Sequence, residues 1–323
     1  MLLKKRMHVI VGILMILISL FAYGEQYTLE RTQERVAEQM GLESSEDWQN
    51  VIRQQLADLE RRMESPYIPE EGKASLRVRS EQLEFYLDKG IDPLNSTSAR
   101  FMGRFMEQSV FLFLPLLIIL LAADMVSGEM NTGTIKLLLT RPVPRWKIML
   151  SKLLALQILE MLVILAMGLI AFLVSMAVFR YVGFTEPVVT GFRLIGDRID
   201  TSGVRTIPQW QYLLMVYAIG YYVASVIGCL SLMVSVLVQS TAASIGIMMS
   251  ALIGGTFLSY FIADWEITRY LFTVNLNLVS YITGSFQVIE GLDMVFSTLV
   301  MLSWAVGSLL VAFVAFKRRD IFA

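Results

Sequence analysis

Long apolar runs recur along this chain and limit its possible folds more than any other feature. A hydrocarbon core of roughly 30 Å takes about 20 apolar residues of helix. Runs of that order stand at Met7–Gly24, Val110–Ala123, Leu153–Phe179, Tyr212–Val238, Ala243–Ala263 and Met294–Phe316. The second is short and is expected to begin near Phe105, with Glu107 and Gln108 in the headgroup zone. The middle runs are long enough to tilt or to overhang the core. Hydrophobic residues are 55% of the 323 and charged residues 17%, where soluble domains run nearer a quarter charged. The expected fold is an all-α polytopic membrane protein with about six transmembrane helices.

Several function classes fall away on composition. A net charge of −1 gives no basic excess for nucleic-acid phosphates. The one cysteine, Cys229, allows neither an intrachain disulfide nor a cysteine-cluster metal site. The one histidine, His8, leaves little zinc chemistry. No paired acid and base, nucleophile or metal constellation points to an enzyme.

Orientation follows lysine and arginine in short loops. Lys4, Lys5 and Arg6 precede the first span. Lys136, Arg141, Arg145, Lys147 and Lys152 follow the second, and Lys317, Arg318 and Arg319 follow the last. With about six spans these share one side, the cytoplasm, and both termini lie there. Arg180, Arg193, Arg198, Arg205 and Arg269 fall in the opposing loops, so the bias is present but not clean. The first run has a second reading, because its basic start, short apolar core and Ala22-Tyr23-Gly24 also suit a cleaved signal peptide.

Residues 25–104 turn abruptly charged and are placed outside the membrane. A helix is expected from about Tyr27 to Met40, stopped at Gly41. A second starts near Ser44 or Ser45 and carries Trp48, Ile52, Leu56, Leu59 and Met63 on one stripe. A third runs from about Glu70 to Lys89, with Leu76, Leu83 and Leu87 on a stripe and Gly90 beyond it. The two stripes predict an extracytoplasmic helical hairpin, serving as a simple cap, a substrate gate or a partner-docking site. Asn95-Ser96-Thr97 matches a glycosylation acceptor, a pattern that is common by chance.

The stretch from Asp124 to Lys152 carries the most information about function. Span two is expected to end in an acidic, glycine-containing turn. A short apolar segment, Thr134–Thr140, follows and is stopped by Pro142 and Pro144. Trp146, Lys147 and Lys152 suit an interfacial helix leading into span three. A short element held between rigid turns at the membrane surface can pass force from a soluble partner to the spans.

Gly128-Glu129, Gly133-Thr134, Leu137-Leu138, Pro142 with Arg145, and Ser151-Lys152 occur here in order. In that order and place they resemble the ABC-2 type of ATP-binding-cassette permeases, over about residues 105–323 plus span one. The insert at 25–104 departs from the simplest members, which have a short first loop. The resemblance implies a permease that pairs with a second permease chain and with separate ATPase chains, the partner ATPase binding ATP and magnesium. It places Glu129, Gly133, Thr134, Leu138, Arg141, Pro142 and Arg145 at the ATPase-coupling contact, with Glu129 and Arg145 making polar contacts to that partner. The chain has no G-x-x-x-x-G-K-[ST] phosphate loop and no cofactor site of its own, which agrees with an engine on another chain.

Inside the spans, Gly220, Ala224 and Gly228 form one small-residue stripe, and Ala242, Gly246, Ser250 and Gly254 form another. Such stripes let helix backbones approach closely in lipid. Packing within the chain and a dimer face are both open; the resemblance places span five near the partner permease. Glu160 is the one carboxylate well inside a span. It either pairs with a cation near the cytoplasmic face or lines a transport path. Asn275, Asn277, Gly284, Glu290, Gly291 and Asp293 around Tyr270–Ile289 predict a broken or re-entrant external hairpin. Nineteen methionines suit either a hydrophobic or amphipathic substrate or ordinary lipid-facing filler.

The expected function is the membrane subunit of an exporter at the bacterial cell membrane. A membrane-anchored sensor or assembly protein, with the external hairpin binding a ligand or partner, is the alternative.

Overall fold

In the computed structural model the chain is described for residues 2–40, 48–68, 70–134, 142–195, 198–200, 202–262, 265–284 and 292–318. It is predominantly helical, and among the described residues five helices are long and apolar enough to cross a membrane. They begin with α5 (Phe113–Asn131), α6 (Arg145–Phe179) and α7 (Gln209–Leu237). The last two are α8 (Thr241–Phe261) and α9 (Met294–Arg318). At 1.5 Å per residue, the 35 residues of α6 reach about 52 Å, well beyond the hydrocarbon. The interfacial helix expected at Trp146–Lys152 is therefore the first two turns of the span itself.

α1 runs unbroken from Leu2 to Met40, so the expected break after Gly24 is absent. No proline interrupts it, and each of its two glycines, Gly12 and Gly24, costs only about 1 kcal/mol. α2 (Trp48–Met63) and α3 (Glu70–Lys89) pack together, burying Val51, Ile52, Val78 and Leu83. α3 occupies the residues expected of it. It ends where Gly90 (φ 62°) lets Gly90 N–H reach Leu87 O and Ile91 N–H reach Tyr86 O. The expected stop at Gly41 and cap at Ser44 or Ser45 lie outside the described residues.

The second apolar run is two helices, α4 (Ser98–Phe111) and α5, parted at Leu112. Pro115 is the cause: its ring lacks an N–H and clashes with the carbonyl four residues back, at Phe111. The expected end of span two at an acidic turn is also corrected. α5 continues through Asp124, Gly128 and Glu129 and stops at Asn131, where Gly133 (φ 71°) supplies the left-handed conformation. The segment expected at Thr134–Thr140 lies, beyond Thr134, outside the described residues.

Residues 187–208 add two short strand pairs to an otherwise helical fold. β1 (Pro187–Thr190) pairs antiparallel with β4 (Arg205–Pro208), in register Val189↔Thr206. β2 (Arg193–Ile195) pairs with β3 (Arg198–Asp200). β-Branched residues dominate β1 and β4, with prolines at the strand ends, where no ladder hydrogen bond is lost. Gly191 (φ 89°) brings its backbone against the Gly203 carbonyl, leaving no room for a side chain.

The chain divides into two compact units. In the first (residues 1–105, 167–214 and 280–287), Phe101 is fully buried against Phe21, Phe105 and Phe179, with ring centroids 5.7–6.2 Å apart. Arg104 pairs with Glu25 at 2.5 Å. Burial pushes the Glu25 carboxyl up from its ordinary range, and Arg104 pulls it the other way. Asn95 donates to Glu186 (2.9 Å), and Thr97 lies against Gly183, so this tripeptide serves as internal structure. Gln82, buried on α3, donates to Thr283 O and Gly284 O, tying α3 to the Ser280–Thr283 turn.

In the second unit (residues 106–166, 215–279 and 288–323), one apolar cluster joins four spans. It holds Ala122 and Val126 of α5, Ile148, Met149 and Leu156 of α6, Leu232 and Val236 of α7, and Ala312 and Phe316 of α9. The expected break before span six is present. A 3-10 helix, Glu266–Tyr270, is followed by turns in which Asn275 donates to Arg269 O and Leu271 O. Asp293 accepts from Phe296 N at the start of α9, whereas Glu290 and Gly291 lie outside the described residues.

Candidate functional site

The described parts of the 124–152 segment, up to residue 134 and from residue 142, are tied to α5, α6 and α9 by polar contacts. Lys152, 8% exposed, donates to Met125 O (2.8 Å) and pairs with Glu129 Oε2 (2.5 Å), so one ammonium grips a backbone carbonyl and a side chain of α5. Arg145, the first residue of α6, donates to Lys317 O in the last turn of α9 (3.1 Å). Pro142 and Pro144 precede α6, and Pro144 O accepts from Lys147 N–H in its first turn.

A second set of contacts joins α5 to the α7–α8 connection. Ser235 Oγ of α7 accepts from Val126 N and Ser127 N and donates to Ala123 O (2.7 Å). Thr241, the first residue of α8, donates to Asp124 Oδ1 (3.1 Å) and lies 3.3 Å from Ser127 Oγ. Gly128 matters here because a Cβ on it would overlap the Asp124 carboxylate. Gly128 is thus a helical residue that makes room for Asp124, and the turn belongs to Gly133.

These placements sort the expected coupling residues. Gly133, Thr134 and Pro142 are exposed; Leu138 and Arg141 lie outside the described residues. Glu129 and Arg145 are half-buried and engaged within the chain, by Lys152 and by Lys317 O.

Glu160, two turns beyond Lys152, is fully buried, and among the described residues neither of its oxygens has a hydrogen-bond partner. The expected cation partner is not Lys152, whose contacts are with Met125 and Glu129. Its carboxyl lies against Gly228 of α7, where a Cβ would overlap Oε1 and stand 3.3 Å from Leu156 Cδ2. Gly220 gives the same close approach to Met106 and Val110. The stripe at Gly220, Ala224 and Gly228 therefore serves packing within the chain. The other stripe does not. Ala242, Gly246, Ser250 and Gly254 are all exposed on α8, and among the described residues nothing lies within 4 Å of a Cβ built at either glycine.

One pattern escapes a reading based on apolar runs. Tyr217, Tyr221, Ser225, Gly228, Ser231 and Ser235 recur at spacings of three and four, which puts them on one face of α7. Tyr221 (3.1 Å) and Ser225 (2.9 Å) both donate to Gln157 Oε1 of α6. The hydroxyls of Tyr217 and Ser231 are buried with no hydrogen-bond partner among the described residues.

Comparison with known proteins adds a family and relatives. A family model described as a protein of unknown function, DUF2705, matches residues 73–322. The chain is 25% identical over 284 residues to the uncharacterized protein YhcI of Bacillus subtilis (strain 168), covering 86% of each chain. It is 25% identical over 215 residues to the uncharacterized membrane protein YdbK of the same organism, covering 66% of this chain and 80% of that protein. With five membrane-crossing candidates and a membrane protein among its relatives, the chain is a multi-pass membrane protein.

Proposed function

The chain belongs to the DUF2705 family, and we propose that within it this protein is the membrane permease subunit of an ATP-binding-cassette exporter, driven by a separate ATPase. The observation that carries the reading is the grip of Lys152 on α5. A soluble partner pressing on residues 133–144 would move α5 through Glu129 and Met125, and α6 through its own first turns. The Asp124–Thr241 and Arg145–Lys317 contacts would pass the same displacement to α8 and α9. Packed helices transmit such shifts because dense packing resists compression.

In this function Gly133, Thr134 and Pro142 present the loop to the ATPase, together with Leu138 and Arg141 of the segment between. Glu129 and Arg145 act as anchors that hold the loop ends. The exposed stripe at Ala242, Gly246, Ser250 and Gly254 meets a second permease chain, since small residues allow close helix contact in lipid. The cytoplasm holds both termini and the loop, and the substrate is hydrophobic or amphipathic, as the apolar spans favour.

Leu138→Glu tests the coupling contact while leaving both anchors intact. In proteoliposomes with the partner ATPase, ATP hydrolysis is expected to fall to the rate of the ATPase without the permease. Stimulation equal to that of the unmodified chain would remove residue 138 from the contact.

A further inference from the structure

We propose that the α6–α7 seam is a proton-binding site, with Glu160 as the group that holds the proton. The carboxyl is fully buried between two membrane-spanning helices, and among the described residues neither oxygen has a paired cation or a hydrogen-bond partner; the Ser225 hydroxyl beside it donates to Gln157. A carboxylate held there in ionised form would lack the pairing that offsets desolvation. A partner is therefore needed, and the geometry restricts its size. The carboxyl lies flush against Gly228 with Leu156 beside it, so on that side the seam leaves no room for a metal ion or an amine. A proton needs no such space.

The surroundings suit proton exchange. Ser225 and Ser231 stand about one turn to either side of Gly228, and Tyr217 and Tyr221 continue the line on the same face. From Tyr217 to Ser235 the line covers about 27 Å at 1.5 Å per residue, close to the thickness of the hydrocarbon core. Hydroxyls both donate and accept, and those of Tyr217 and Ser231 are uncommitted among the described residues. When the seam parts, the proton leaves Glu160 for a water that reaches the opened face; when it closes, a proton returns to the same carboxyl. Other titratable groups around the seam are Tyr217, Tyr221 and Cys229 on α7 and Lys152 on α6. Lys152 is held by Glu129 and Met125, and Asp124 on α5 is held by Thr241.

Infrared spectroscopy of the full chain in lipid nanodiscs at neutral pH tests this directly. The expected spectrum contains a carbonyl band from a neutral carboxyl that is lost in Glu160→Gln and displaced but retained in Glu160→Asp. Exchange of that proton in heavy water is expected to be slow, and faster in Gly228→Ala, whose added methyl displaces the carboxyl. Dicyclohexylcarbodiimide, which enters lipid and attacks neutral carboxyls, is expected to modify the Glu160 peptide. No neutral-carboxyl band in the unmodified chain, or a band unchanged in Glu160→Gln, overturns the site. So does modification that avoids Glu160.

Discussion

Gly228→Leu is expected to destabilise the protein by about 3 kcal/mol, the upper range for overpacking a dense interior. A helical glycine exchanged for a better helix former normally gains up to about 1 kcal/mol, so the sign depends on the space available. There is none: even a Cβ at 228 overlaps Glu160 Oε1. The double variant Glu160→Ala/Gly228→Leu is expected to recover most of the loss. The leucine then fills the volume the carboxyl vacates, and a buried ionisable group is exchanged for hydrocarbon, which is often neutral or stabilising. Thermal unfolding of the single and double variants in nanodiscs gives the coupling between the two positions. A Gly228→Leu protein that melts with the unmodified chain, or a double variant no better than the single, contradicts the α6–α7 contact described above.

Lys152→Met is expected to leave the spans in place and to disconnect them from the loop. Methionine keeps much of the unbranched apolar stem, but it forfeits the bond to Met125 O and the ion pair with Glu129. Losing a charged hydrogen bond in a buried place costs about 1.5–3 kcal/mol. Glu129 is 34% exposed, so water recovers part of its share and the lower end is expected. Adding Glu129→Gln should restore some stability, because it removes the abandoned charge, without restoring the mechanical tie. Melting temperature and ATPase stimulation should therefore separate: the double variant regains stability and stays uncoupled. Full stimulation by Lys152→Met would mean that the loop acts on the spans by another route.

The sequence revealed the parts of this structure that rest on local pattern. Span-length apolar runs mark α5 to α9 because the bilayer sets both length and composition. α3 falls where its stripe and Gly90 place it. What escaped falls into two kinds. Pro115 was present in the second run and signals the break at Leu112, but hydropathy averages over a single proline. Val188, Val189, Thr206 and Ile207, with Gly191 and Gly203 between them, are strand and turn residues in a segment read only as a charged loop. The polar face of α7 was likewise readable at spacings of three and four, yet it is diluted in a span that is apolar overall. The other kind has no local signal. That Lys152 pairs with Glu129, that Ser235 reaches the backbone of α5, and that Gly128 accommodates Asp124 all depend on which helices become neighbours. The two small-residue stripes look alike in sequence, and only burial separates the packed one at Gly220–Gly228 from the exposed one at Ala242–Gly254.

The central claim is that this chain is the passive half of an ATP-driven exporter, and its composition of partners tests it most directly. The full chain, carrying an affinity tag, is purified in mild detergent from the cells that make it, and the stoichiometric partners are identified by mass spectrometry. The expected result is an ATPase with a phosphate-binding loop, present in equal amount, whose hydrolysis rises when the permease is present. A stoichiometric kinase or regulator in its place would contradict an exporter and favour a membrane-anchored sensor, and so would a chain that purifies with no nucleotide hydrolase.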